Sequence, residues 1–404
     1  MSTSILYHGF GIKGYDYVRT KFSHGCVWFK IHQDRFKLRC PLCNGRDVIR
    51  RGFKHRLFRL LPIGKKMTFI EFDIPRIKCL ACNIIRQVKV GFADARRSYT
   101  KAFERYALDL CQRMTIQDVA NHLGVSWDTI KDMQKRFLQK RFSKPKLKNL
   151  KQIAIDEISI GKGHRYLTVV LDLTTGAVVF VGDGKGSDAL IAFWKRLKAS
   201  KANVEAVAID MSPAYIRAVK DNLPQATIVF DHFHIIKMFN DKLSDFRRKL
   251  QREVEDSAQH QVLKGTRWLL LKNPDNLKEQ TNERQRLESA LELNKPLATA
   301  YYMKEDLRQL WAQKNQKEAQ SFLNDWIKRA QSSEIQMLID FAETLENHKK
   351  GILAYYQYPI STGPLEGTNN KIKTLQRQAY GFRDKEFFKL KIYALHLTKY
   401  ALVG

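Results

Sequence analysis

"KQIAIDEISIG", residues 151–161, alternates in the manner of a strand with one buried face, and it carries Asp156 in mid-run. Working outward, "RYLTVVLDLTTGAVVFVGDG" (165–184) reads as two strands joined at a Thr-Gly turn. "SDALIAFWKRLKAS" (187–200) is a capped amphipathic helix, and "VEAVAIDMS" (204–212) is a buried strand ending at Asp210. "PAYIRAVKDNLP" (213–224) is a short helix with Pro at its start, and "ATIVFDHFH" (226–234) is another strand.

The order β-β-β-α-β-α-β is that of an α/β ribonuclease H-like fold: three antiparallel strands first, later ones added in parallel through helical crossovers. In that topology the end of the fourth strand lies beside the middle of the first. Asp156 and Asp210, 54 positions apart, are then expected to approach each other. With a third acid from a late helix they can hold Mg²⁺ (or Mn²⁺), hard ions that prefer oxygen ligands, on either side of a scissile phosphate. Each aspartate also has a plainer reading. A lone acid on a strand is often solvated, and Asp210 can cap the helix that follows. Asp172 and Asp183 are rival acids, ranked lower because they sit at the ends of strands two and three.

The late acid is Glu366, in "STGPLEGTNNKIK" (361–373). Gly363 and Pro364 mark a helix start, where a glutamate complements the helix dipole even without any catalytic role. Asn369, Asn370, Lys371 and Lys373 follow on the same first turns and are expected near a phosphate backbone. Between Asp210 and Glu366 lie far more residues than one strand and one helix require. Residues 235–358, rich in helix formers and poor in Gly and Pro, read as an all-α insertion, with Trp268, Trp311 and Trp326 at core positions.

The N-terminal third differs in charge. The chain has 71 Lys/Arg and 41 Asp/Glu over 404 residues, a formal charge of +30; residues 1–150 hold 32 and 11 of these, or +21. Such a field draws polyanions, nucleic acid first among them. No apolar run approaches the ~18 residues of a membrane span, and the N-terminus lacks an apolar secretory segment. The expectation is a cytoplasmic, nucleoid-associated protein without membrane partners.

Four of the six cysteines form two CxxC pairs, Cys40/Cys43 and Cys79/Cys82. Two such turns complete a tetrahedral structural Zn²⁺ shell, leaving no open position. The 35-residue spacer is long, but its strand-like runs can fold into a hairpin that joins the turns. The alternatives are disulfides, which fit poorly with a cytosolic chain, and unpaired core cysteines. Cys26 and Cys111 are expected as buried thiols.

"TIQDVANHLGVSWDTIKDMQKRFL" (115–138) reads as a helix-turn-helix. Thr115 caps the first helix, Gly124 makes the turn and Ser126 caps the second. Val119, Ala120, Leu123, Val125, Ile130 and Met133 form its core. The second helix then shows Trp127, Asp128, Thr129, Lys131, Asp132, Lys135 and Arg136 outward, a face suited to a major groove. A solvated αα-hairpin is the plainer alternative. Ser126, Trp127, Thr129, Lys131, Lys135 and Arg136 are the expected DNA contacts there.

The resulting organisation is a zinc-ribbon DNA-binding region (1–95), a helix-turn-helix with basic linker (96–150), the first part of the ribonuclease H-like core (151–234), the helical insertion (235–358) and the second part of the core (359–404). The ordered set of Cys₄ ribbon, helix-turn-helix, "IDE" (155–157), "IDMSPAY" (209–215), "DHFH" (231–234) and "GPLEGTNNKIK" (363–373) resembles a bacterial insertion-sequence transposase of the DDE type, the IS-L-three family. The resemblance spans nearly the whole chain. It implies Asp156, Asp210 and Glu366 as a catalytic triad, Mg²⁺ as cofactor and inverted terminal repeats as the DNA bound. It also implies that His234, paired with Asp231, lies near the active site and contacts the scissile strand. The expected function is Mg-dependent cleavage and strand transfer on terminal repeats and target DNA, by a homodimer or higher oligomer. The rivals are a ribonuclease H-like nuclease or resolvase without strand transfer, and a zinc-ribbon/helix-turn-helix regulator. The segment 385–402 is read as a core helix, with dimerisation as its alternative.

Overall fold

The computed structural model describes residues 4–161, 163 and 165–396. It divides into two units: residues up to Ser143 together with Arg377–Lys391, and Lys144–Gln376 together with Ile392–His396.

In the first unit, β1 (Asp16–Ser23) and β2 (Cys26–His32) form an antiparallel hairpin. Its two-residue turn, His24 and Gly25, has both φ angles positive, the geometry that matches strand twist. The long strands β3 (Val48–Arg59) and β4 (Thr68–Cys79) pair antiparallel, β2 pairs β4 in parallel, and β5 (Ile85–Gln87) adds to β4. Along β4, Thr68, Ile70, Phe72 and Ile74 are buried on one face, the period-2 pattern of a strand over a core. Cys111 is buried as expected, but Cys26 is only half-buried, because it opens β2 at the hairpin turn.

Three helices follow: Lys101–Leu110, Ile116–Leu123 and Trp127–Phe142. Thr115 accepts from the Asp118 N–H, Gly124 is left-handed at φ 62°, and Ser126 accepts from the Thr129 N–H. Val119, Ala120, Leu123, Ile130 and Met133 close on Phe103 and Ala107 of the first helix, with Val125 partly buried against them.

The second unit is built on a five-stranded mixed sheet: β6 (Gln152–Gly161), β7 (Arg165–Asp172), β8 (Val178–Asp183), β9 (Ala206–Ile209) and β10 (Thr227–Phe230), in the order β10-β9-β6-β7-β8. β6, β7 and β8 are antiparallel; β9 is parallel to β6 and β10 to β9. All four residues of β9 are buried, as in a parallel strand covered on both faces. The helices Ile191–Ser200 and Pro213–Asn222 make the crossovers into β9 and β10.

From His232 to Tyr356 the described elements are helical, the longest being His232–Glu253 and Gln336–Leu353. Phe239, Trp326 and Phe341 interlock edge to face in this core. Trp311 is half-buried, and Trp268 is 66% exposed, not a core residue. In the short helix Arg267–Leu271, Leu269 and Leu270 take the inner face, and Trp268 is left outside beneath the Arg267 guanidinium.

The helix Gly363–Gln378 precedes the helix Lys385–Ala394, in which Phe387, Phe388, Leu390, Ile392 and Tyr393 are buried. The remainder of the C-terminal helix expected through 402 lies outside the described residues from 397 onward. Among the described residues no helix is long and apolar enough to cross a membrane.

Candidate active site and metal centre

The β3–β4 hairpin pairs Val48 with Cys79 and so brings the two CxxC turns to one end. Asn44 and Asn83, each left-handed just past its turn, close the knuckles, and the Leu42 and Cys82 amides point at the Cys40 and Cys79 sulfurs. The sulfurs of Cys40, Cys43, Cys79 and Cys82 all lie within 4.8 Å of one another. Hydrogen bonding to Cys43, then burial, pushes the Cys82 thiol up to about 12. Four sulfurs this close offer a tetrahedral S₄ shell, the donor set of structural zinc.

Asp156 lies in the middle of β6, whereas Asp210 and Asp231 directly follow the ends of β9 and β10. β6 and β9 run in parallel register to Ala154↔Ala208. Two residues further on come Asp156, still within β6, and Asp210, just past the end of β9, close enough for the Asp210 charge to raise the Asp156 pKa. β10 pairs Phe230 with Ile209, so Asp231 is the next residue in the same row. Carboxyl ends of parallel strands are where open α/β sheets place their ligands.

Asp156 is held by two donors: the Glu157 N–H on Oδ1 at 2.7 Å and the Asn369 Nδ2–H on Oδ2 at 2.9 Å. Burial raises its pKa, and the Asp210 and Glu157 charges push the same way; the Glu157 N–H and nearby His234 oppose them. Asp210 accepts from the Ser212 N–H at 3.0 Å. Glu157 points elsewhere and accepts from the Tyr215 hydroxyl at 2.7 Å.

His234 lies on the first turn of His232–Glu253, a helix capped by the 2%-exposed Asp231. Asp231 also accepts from the Thr362 hydroxyl. The Thr362 carbonyl in turn accepts from the Leu365 and Glu366 N–H groups, fixing the start of the Glu366 helix. Glu366 itself is exposed. Among the described residues the four cysteines are the only such cluster of potential metal ligands; Asp156, Asp210 and Glu366 do not form one.

Several expected DNA contacts lie otherwise than the spacing suggests. Arg136 turns inward, with Nη2 2.6 Å from Glu104 and 2.7 Å from the Tyr99 hydroxyl. Lys131 and Lys135 both pair with Asp384, at 3.3 and 2.8 Å, and these lysines hold its carboxyl down at about 2. These three are therefore not a free basic face; their carboxylate partners come from distant parts of the chain. Ser126 and Thr129 bond each other at the helix cap, and Trp127 remains exposed. Asn369 is buried against Asp156, whereas Asn370, Lys371 and Lys373 are exposed.

Sequence reasoning missed the Asn369–Asp156 and Thr362–Asp231 bonds. The available signal was spacing: Glu366 and Asn369 are three residues apart and share a helix face.

A cysteine-clamped hairpin, a helix-turn-helix and a mixed sheet with acids on neighbouring strands are the parts of a protein that acts on DNA. Family models match in the same order: zinc-finger of transposase IS204/IS1001/IS1096/IS1165 over residues 37–82, helix-turn-helix domain of transposase family ISL3 over 88–138, and the ISL3 DDE transposase domain over 153–392. The transposase for insertion sequence element IS1001 of Bordetella parapertussis is 34% identical over 358 residues, covering 88% of each chain. That for IS1557 of Mycobacterium tuberculosis is 29% identical over 376 residues, covering 86% of this chain and 83% of the relative. The solved Drosophila P element transposase strand transfer complex covers 73% of this chain and 92% of its own at 10% identity and a TM-score of 0.35, too distant to carry an argument. The chain belongs to the ISL3 family of insertion-sequence transposases, DDE enzymes of DNA cleavage and strand transfer.

Proposed function

We propose that residues 151–234 and 359–376, with Ile392–His396, form a ribonuclease H-like reaction domain interrupted by the helical stretch 235–358, and that Asp156, Asp210 and Glu366 are its acidic residues. The strand order β10-β9-β6-β7-β8, with three antiparallel strands and two parallel, supports the fold. The single observation that supports the site is the β6/β9 register, which runs to Ala154↔Ala208, two residues short of Asp156 and Asp210.

Hard carboxylate oxygens, with the buried Oδ1 of Asn369, unpartnered among the described residues, fit Mg²⁺ or Mn²⁺. When bound, such ions activate the attacking water or 3′-hydroxyl and stabilise the leaving oxygen. The chain's own residues do the rest. Asp156 is fixed in one orientation by its two donors. His234 is available to hydrogen-bond the scissile strand. Glu366 closes on the two aspartates when DNA is engaged. The basic N-terminal third holds the terminal inverted repeats, with Trp127 on the exposed side of the second helix. Asn370, Lys371 and Lys373 flank the phosphate backbone. Two ends held together call for a homodimer or higher assembly.

The test is a terminal-repeat duplex incubated with Mg²⁺. The wild type is expected to yield cleaved and joined products. Asp156→Asn and Asp210→Asn are expected to lose cleavage by roughly a thousandfold, the several kcal/mol a metal ligand supplies, while still binding the duplex. Cleavage retained by either variant overturns the assignment.

A further inference from the structure

We infer that Asn369 is a fourth residue of the cation site, orienting Asp156 through its amide nitrogen and presenting its own amide oxygen to the bound ion. This rests on the reading of Asp156 and Asp210 as metal ligands and extends it to a residue outside the acidic triad.

Three observations carry it. Asn369 is buried, 7% exposed, although it lies in a run of asparagines and lysines on the first turns of a helix whose neighbouring positions 370, 371 and 373 are exposed. Its Nδ2–H donates to Asp156 Oδ2 at 2.9 Å. Its Oδ1 is buried and has no hydrogen-bond partner among the described residues. The first bond fixes the amide: a carboxylate accepts only from the nitrogen, so the oxygen must face away as an acceptor. Buried acceptors in folded proteins are ordinarily satisfied, and one left open beside a candidate metal ligand needs a partner. An amide oxygen is a hard neutral donor of the kind Mg²⁺ and Mn²⁺ take alongside carboxylates.

The geometry also ties together two parts of the site. Asn369 lies one helical turn after Glu366, so its bond to Asp156 joins the Glu366 helix directly to β6. A side chain serving only to pack would need no amide there. One serving only to contact DNA would be exposed like its neighbours.

The test is Mn²⁺ binding to the full-length, DNA-free protein, followed by electron paramagnetic resonance, so that the readout is not turnover. Asn369→Leu keeps the shape and removes both polar atoms; its Mn²⁺ affinity is expected to fall at least tenfold. Asn369→Asp keeps an oxygen at the same position; its affinity is expected to stay within about threefold of wild type or to rise. Circular dichroism and zinc content establish that each variant is folded; should Asn369→Leu not fold, Asn369→Ser replaces it with the same expected loss. Leucine and aspartate variants that both bind like wild type overturn the inference, as does an aspartate variant that loses binding as fully as leucine. Asp156→Asn is titrated alongside. If it too binds Mn²⁺ like wild type, the acidic-site reading itself has failed; if it loses binding while the Asn369 variants do not, only the present inference has.

Discussion

Asp231 accepts a hydrogen bond from the Thr362 hydroxyl, and so joins the start of the helix carrying His234 to the start of the helix carrying Glu366. Both residues are 2% exposed, and Asp231 is at the same time the cap of its own helix, accepting from the Phe233 N–H at 3.3 Å. The bond spans 131 residues of chain, including every described helix from His232 to Tyr356.

Asp231→Ala removes a helix cap and leaves a buried hydroxyl without its acceptor. A cap is worth about 0.5–2 kcal/mol and an orphaned buried group about 1–3. The expected loss is roughly 2–4 kcal/mol, read from urea denaturation. Thr362→Val, which removes the donor alone, is expected to lose less. An unchanged midpoint for Asp231→Ala shows that the bond does not hold the two helix starts.

The packing just before Asp231 gives a second prediction. A Cβ on Gly351 would lie 2.5 Å from the Phe230 ring, closer than any side chain tolerates. Gly351→Ala is expected to cost about 1–3 kcal/mol by overpacking, in spite of its better helix propensity. A thermal melt at or above the wild-type midpoint contradicts this.

The sulfur cluster predicts about one zinc per chain, in keeping with a closed S₄ site. Cys43→Ser is expected to lose the metal, measured by elemental analysis, and to weaken terminal-repeat binding. Full zinc content in that variant contradicts a four-sulfur site.

The Asp384 pair with Lys131 and Lys135 predicts an acid-limb dependence. The carboxyl is depressed from 3.8 to about 2, so its contribution is fully present above about pH 4 and is lost as pH falls toward 2. Asp384→Asn is expected to abolish that component of acid unfolding. It also frees two lysines on the second helix-turn-helix helix, so the fall of log K with log salt for DNA binding is expected to steepen by about 1–2. An unchanged slope contradicts a place for these lysines near DNA.

Much of this architecture was written in local pattern. The alternation at 151–161 and the buried run before Asp210 gave strands whose order the sheet reproduces. Thr115, Gly124 and Ser126 punctuated the helix-turn-helix because caps and left-handed turns depend on residues a few positions apart. Two CxxC pairs were enough to expect one cluster. What stayed hidden depends on partners far along the chain. The outward face of Trp127–Phe142 looked basic because spacing cannot show Glu104 taking Arg136, or Asp384 taking Lys131 and Lys135. Asn369 looked like a phosphate contact for the same reason: Asp156 lies 213 residues earlier. Trp268 looked like core because size and hydrophobicity do not tell which side of a five-residue helix faces inward.

The central claim is that Asp156, Asp210 and Glu366 surround one cation site when the enzyme holds its DNA. Iron-directed hydroxyl-radical cleavage of the polypeptide measures this directly: Fe²⁺ replaces Mg²⁺ in the complex with a terminal-repeat duplex, and the backbone is cut where the ion sits. Cuts clustered near residues 156, 210 and 366, all suppressed by excess Mg²⁺, are the predicted result. Cuts near 156 and 210 with none near 366 would contradict it.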